Sequence, residues 1–138
     1  MTQREFAETV VQAYNTGNPK ILEPILSEDF TYHLPPSSRA RVESECIRKG
    51  KAFSPASCQC DKEDYIELMS LFSDISNMRA GLAFRRDAKE YVVVMLTNGI
   101  YRGVLHIQHK DGKITGLRME DSLEGVGPVE DLIHVNEK

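Results

Sequence analysis

Asp121, His33 and Tyr32 are the side chains whose type and spacing best suit proton transfer. In the stretch ending at Asp121, alternation puts Leu117, Met119 and Asp121 on one face and Arg118 and Glu120 on the other. If Leu117 and Met119 line an apolar pocket, Asp121 lies at its mouth. A carboxylate against apolar walls is raised in pKa and serves as a general acid or base. The competing reading is a strand-end carboxylate in solvent. Phe30 to Leu34 alternates in the same way, so Tyr32 and Leu34 share one face and His33 takes the other. A histidine ring changes charge near neutral pH. His33 reaches the pocket only if a bulge or Pro35-Pro36 re-aims it. Tyr32 offers a ligand its O–H while its ring packs. Tyr14 lines the same cavity or, more simply, fills the core at helical spacing.

Other chemistries find less support. His106 and His109 fall on opposite faces of one strand, His106 toward a sheet surface with Arg102 and Gln108, His109 beside a turn. No histidine pair has metal-ligand spacing. Cys58-Gln59-Cys60 offers two thiolates, but only Cys46 and distant histidines remain to complete a four-ligand zinc site. Reduced thiols are expected, with no metal and no cofactor. The sequence has no Gly-rich phosphate loop, nucleophile elbow or cysteine–histidine pattern.

The elements that must position these groups are legible at both ends of the chain. Thr2-Gln3-Arg4-Glu5 is a capping box ahead of Phe6, Val10, Ala13 and Tyr14, with Ala7 and Val11 widening the stripe, which predicts a helix from Gln3 to Asn15. Gly17 ends it, and Asn18-Pro19 starts a second helix that Pro24 keeps short or kinked. A third helix follows Asp61, with Tyr65, Leu68, Met69 and Phe72 on one side. From Asn77 the period changes to two. Asn98-Gly99 and Asp111-Gly112 are hairpin turns, so the stretch to Asp121 is a four-strand antiparallel meander. Residues 36–60 form an irregular insertion in which Arg41 to Ile47 is a weak strand. Residues 122–138 form a tail whose last piece, Val129 to Val135, lies as helix or strand over an opening.

The 138 residues, 41% of them hydrophobic, suit a single domain with an ordinary core. The net charge of -4 argues against nucleic acid, since Arg39, Arg41, Arg48, Lys49 and Lys51 are interrupted by Glu43 and Glu45. No apolar run reaches the ~20 residues that span a bilayer, and the N-terminus lacks a signal peptide's apolar core. No membrane partner and a cytoplasmic location are expected.

This order resembles the nuclear-transport-factor-2-like superfamily, its ketosteroid-isomerase-like and SnoaL-like polyketide-cyclase branches above all. The residues that carry the resemblance are Ala13-Tyr14-Asn15-Thr16-Gly17-Asn18, Leu26 to His33, Asp111-Gly112-Lys113-Ile114 and Leu117-Arg118-Met119. It covers nearly the whole chain except residues 36–60 and the tail. It implies an α+β fold in which a cone-shaped, curved antiparallel sheet packs on three N-terminal helices. It also implies a pocket at the wide end and a homodimer formed through the sheet face. Ketosteroid isomerase pairs a carboxylate base with an oxyanion hole of a tyrosine and a protonated aspartic acid, one of the standard cases of pKa tuning. Matched position by position, Leu34 stands at the base, Val10 rather than Tyr14 at the tyrosine, and Leu105 at the aspartic acid. The familiar isomerisation is therefore not expected.

The pocket is expected to be lined by Tyr14, Leu34, Met69, Leu105, Leu117 and Met119, with the methionines supplying an adaptable wall. Its ligand would be a small, mainly apolar molecule. The leading expectation is cofactor-independent acid–base chemistry (isomerase, cyclase or hydrolase) on a cyclic or polyketide-like compound, with Asp121 as proton carrier and Tyr32 or His33 orienting the substrate. The alternative is a non-catalytic binding or assembly module, because fold does not select a reaction.

Overall fold

The computed structural model describes residues 1–35, 43–44, 47, 59–75, 78–97 and 100–130. Helix α1, Gln3–Thr16, forms where its capping box predicts. The Thr2 hydroxyl accepts from the Glu5 N–H at 3.2 Å, and Glu5 Oε1 accepts from the Thr2 N–H at 2.9 Å. Gly17, in the left-handed region, closes the other end. Phe6, Ala7, Val10, Val11, Ala13 and Tyr14 are all buried, so the apolar stripe is the packed face. The second helix resolves into two 3₁₀ turns, Pro19–Ile21 and Glu23–Ile25. Asn18 caps the first, and Pro24 keeps the second from propagating.

Strand β1 is Leu26–His33 and β2 is Gln59–Asp61. Helix α2, Lys62–Ile75, follows directly, its first turn capped by Asp61, whose Oδ1 accepts the Asp64 N–H at 2.9 Å. The meander is β3 (Met78–Arg85), β4 (Glu90–Thr97), β5 (Ile100–Lys110) and β6 (Lys113–Glu120). Asp111 and Gly112 both have positive φ, 53° and 77°, as a two-residue hairpin turn requires. The Asn98-Gly99 turn lies outside the described residues. So does most of the strand expected over Arg41 to Ile47, and at its described positions Glu43, Ser44 and Ile47 the chain is helical.

The result is an α+β fold with a curved, unclosed sheet in the order β2-β1-β6-β5-β4-β3. It is not wholly antiparallel: β1 runs parallel to β6, with Tyr32 beside Leu117 and His33 beside Arg118. Alternation gives every strand an inner and an outer face. The inner face and the helices enclose one large core, including Phe6, Val10, Phe30, Tyr65, Leu82, Val93, Met95, Leu105 and Leu117. Ala83, Val92, Val94 and Val104 form a smaller cluster on the outer face, with Tyr101 and Val126 packed on it. Val126 belongs to the tail, which runs along the free edge of β3: Gly127 N–H donates to Phe84 O at 2.9 Å and Glu130 N–H to Leu82 O at 2.7 Å. The described part of the tail is thus an edge cover, which suits a strand whose unpaired N–H and C=O groups would otherwise face outward. Residues 131–138, with most of the Val129 to Val135 piece, lie outside the described residues.

Candidate functional site

The inner face carries the expected lining. Leu105 is paired with Met119 and Val93, and Val93 with Leu82, so these side chains form one row across four strands. Leu34 follows directly after β1, one residue past the His33–Arg118 pairing. The next row holds Tyr32, Leu117 and Ile107. Helix α1 is fixed to the same end of the sheet by Asn15: its Oδ1 accepts the Ala80 N–H at 2.6 Å and its Nδ2 donates to Ala80 O at 2.9 Å. This clamp sets Tyr14 above that end.

Two helices and a strand bring aromatic rings together there. The hydroxyls of Tyr14 on α1 and Tyr65 on α2 lie 2.8 Å apart. The Tyr65 ring packs 4.6 Å from Tyr32 and 5.3 Å from Phe30, centroid to centroid. Burial pushes the Tyr14 hydroxyl well above the ordinary phenol range, and proximity to Tyr65 adds to it. The pair is therefore a buried, neutral hydrogen-bonding unit within an apolar surround. Either hydroxyl can be the donor; when Tyr65 donates, the Tyr14 O–H keeps its own proton to give, and its donor strength is increased by the bond it receives.

The structure assembles some of the expected site residues and separates others. Tyr14, Tyr32, Leu34, Met69, Leu105 and Leu117 are all buried, and Met119 is half-buried. The described inner face is thus packed by the chain's own side chains. Cavities bounded by described residues include one of about 310 Å³ beside Glu23, Glu28, Lys62, Glu63 and Ile66, a neighbouring one of about 450 Å³ that also reaches Lys20, Pro24 and Lys113, and one of about 520 Å³ between Arg86 and Gly125 to Pro128. His33 does not join Tyr32. It lies on the outer face beside Arg118, its Nε2 3.2 Å from Thr31 Oγ1. No bulge re-aims it, because its register continues unbroken from Thr31. Asp121 is exposed rather than set against apolar walls, since β6 ends at Glu120 and the chain bends there. Its carbonyl accepts the Tyr101 hydroxyl at 2.9 Å. The side chains of all three cysteines lie outside the described residues.

By helical spacing alone, Tyr65 is a core residue on one face of its helix. Its place was legible, but its bond to Tyr14 depends on how α1 and α2 approach. The sequence places His106 in a sheet-to-sheet dimer surface with Arg102 and Gln108; within the chain His106 is itself buried, 6% exposed, in a charged cluster. Its Nδ1 lies 3.0 Å from Glu90 Oε1, and its Nε2 lies 2.6 Å from Arg85 Nη1 and 2.9 Å from Glu120 Oε2. Alternation alone does put Arg85, Glu90, His106 and Glu120 on one face, and this was the available signal.

No protein-family profile matches the chain, and no curated protein matches it. Solved structures do. IdmH from Streptomyces antibioticus, described as a candidate polyketide cyclase, superposes with a TM-score of 0.59 at 14% identity, over 87% of this chain and 91% of that one. The chain has the nuclear-transport-factor-2-like fold. An NTF2-like protein from Cytophaga hutchinsonii gives a TM-score of 0.53 at 18% identity, over 89% of this chain and 92% of that one. A candidate ketosteroid isomerase from Kribbella flavida gives 0.53 at 15%, over 96% and 86%. At these identities the NTF2-like likeness concerns the fold. In this member of the fold no described helix is long and apolar enough to cross a membrane.

Proposed function

We propose that the inner-face end around Tyr14 and Tyr65 binds a small, mainly apolar molecule through an oxygen acceptor, and that the chain performs cofactor-independent acid–base chemistry on it. The observation that carries this reading is the 2.8 Å phenol pair in an apolar surround. A neutral donor there favours oxygen that gains negative charge, as a carbonyl does when an adjacent carbon loses a proton. Asp121 takes that proton on its carboxylate and returns it to the product carbon, so no oxidant or reductant is needed. The NTF2-like fold of a candidate polyketide cyclase and a candidate ketosteroid isomerase supports the reaction class.

The test is α-deuteration of a bicyclic ketone such as 1-tetralone in D₂O, followed by NMR. Exchange above the buffer rate, lost in both Tyr14→Phe and Asp121→Asn, is the expected result. No exchange with the native chain overturns the catalytic reading, and near-native exchange in Asp121→Asn removes Asp121 from it. The rival reading is a binding module without catalysis, favoured by the dense packing of Leu34, Leu105 and Leu117. It predicts binding of the ketone without exchange. The homodimer through the sheet face is a separate proposal, which concerns the exposed outer-face residues Arg102, Gln108 and Arg118. A monomer by sedimentation at micromolar concentration contradicts it.

A further inference from the structure

The dense inner face has one loosely held filler. Of the side chains expected to line the pocket, Tyr14, Tyr32, Leu34, Met69, Leu105 and Leu117 are buried, and Met119 alone is half-buried. Met119 also reaches out of its own row. Its strand partner is Leu105. Its side chain leans over Gly103, in the neighbouring row that Gly103 forms with Met95 and Ala80. A Cβ on Gly103 would stand 2.5 Å from Met119 Sδ, 3.2 Å from its Cγ and 2.9 Å from the Glu120 carbonyl oxygen. The thioether therefore occupies the volume that any other residue at position 103 would fill.

This notch lies between the two halves of the proposed site. At one end of its row, Ala80 holds Asn15, the neighbour of Tyr14 in α1. At the other end the Glu120 carbonyl walls the notch, and the chain passes directly into Asp121. A ring seated on Gly103 thus has the α1 donor on one side and Asp121 on the other.

The filler is suited to leaving. Methionine is unbranched, with three rotatable side-chain bonds and a polarisable sulfur, so it exchanges one packing arrangement for another at small cost. Half-burial gives it open space to swing into. Leu105 and Leu117 are wholly buried and branched, and moving either would open a hole in the core. Gly103 has no side chain to follow the sulfur, so the vacated space stays free for a ligand.

We propose that Met119 is the gate of the site around Tyr14 and Tyr65: a ligand enters by displacing its thioether from the Gly103 notch, and the notch takes the edge of a flat ring. This inference rests on the small-molecule reading above and adds the step that makes room in a packed face. The space that a thioether leaves is narrow and apolar, with Met95 across the strand pair and Leu105 two residues along β5. A fused-ring ketone fits it edgewise.

The test is a titration of the full chain with 1-tetralone, followed by NMR of isotope-labelled methionine methyl groups. In the native chain the Met119 methyl, assigned by its loss in Met119→Leu, should shift on binding. Met119→Ala leaves the notch open. It should bind the ketone roughly tenfold more tightly, as expected if the native notch is open in about a tenth of molecules. Equal affinity in the two chains, or an unmoved Met119 methyl while the ketone binds, would overturn the gate and leave the small-molecule reading intact. Binding to neither chain would overturn both. The methyl shift is read on the native chain, so it decides the question even if the alanine variant is unstable.

Discussion

The Tyr14 and Tyr65 hydroxyls, 51 positions apart in the chain and carried by different helices, meet at 2.8 Å inside the core. Neither helix alone determines that contact. α1 is oriented by the Asn15 clamp on Ala80, and α2 by the packing of Tyr65 on Phe30 and Tyr32.

Removing either hydroxyl should expose this coupling. Tyr65→Phe takes away the partner of a buried phenol, which costs about 1–3 kcal/mol. Tyr14→Phe should destabilise comparably. Because both singles break the same bond, the double variant should cost less than their sum, by about 0.5–3 kcal/mol. Urea unfolding of the set measures it. Strict additivity would mean that the pair contributes no coupling.

The Tyr14 phenol should titrate apart from exposed phenols. Its value is raised in the folded chain, so the neutral form is favoured by folding. The unfolded chain ionises first as pH rises, and the stability conferred by this group is lost above the ordinary phenol range of about 10. Tyrosinate absorbance should therefore rise by the same number of groups in the native chain as in Tyr14→Phe. A rise one group larger in the native chain would place Tyr14 in contact with solvent.

Asn15→Ala should release α1 from the sheet. It strands both the N–H and the C=O of Ala80, at a cost of about 1–3 kcal/mol. Asn15→Asp keeps the acceptor for the Ala80 N–H but loses the donor, so it should rescue only part of the loss. Thermal unfolding distinguishes the variants, and equal effects of Ala and Asp would contradict a two-bond clamp.

Glu120 should contribute to the acid limb of stability. Burial acts to raise its carboxyl, but the Arg85 hydrogen bond and the charges of His106 and Arg118 outweigh it and hold the carboxyl below the ordinary range. A depressed carboxylate confers stability above its unfolded value and loses it as pH falls through the folded one. Glu120→Gln should therefore reduce stability at neutral pH and flatten its decline on acidification, measured by urea unfolding across pH. A parallel decline in both proteins would mean that Glu120 is not linked to folding.

The local elements and their faces were written in the sequence. The Thr2–Glu5 box, the α1 stripe, the Pro24 interruption and the Asp111-Gly112 turn each act over a few residues, so their patterns survive in one dimension. Alternation likewise gave the shared face of Leu34, Leu117 and Met119, because a strand fixes side-chain direction with period two. Tertiary structure decided which residues meet. Alternation already set His33 opposite Tyr32, and the unbroken register of β1 on β6 from Thr31 leaves it there, beside Arg118. The approach of two helices joins Tyr14 to Tyr65. The registers of four strands bury His106 among Arg85, Glu90 and Glu120, where sequence alone showed a surface histidine. Local rules fix the direction of a side chain, but only the packing of distant segments fixes its partner.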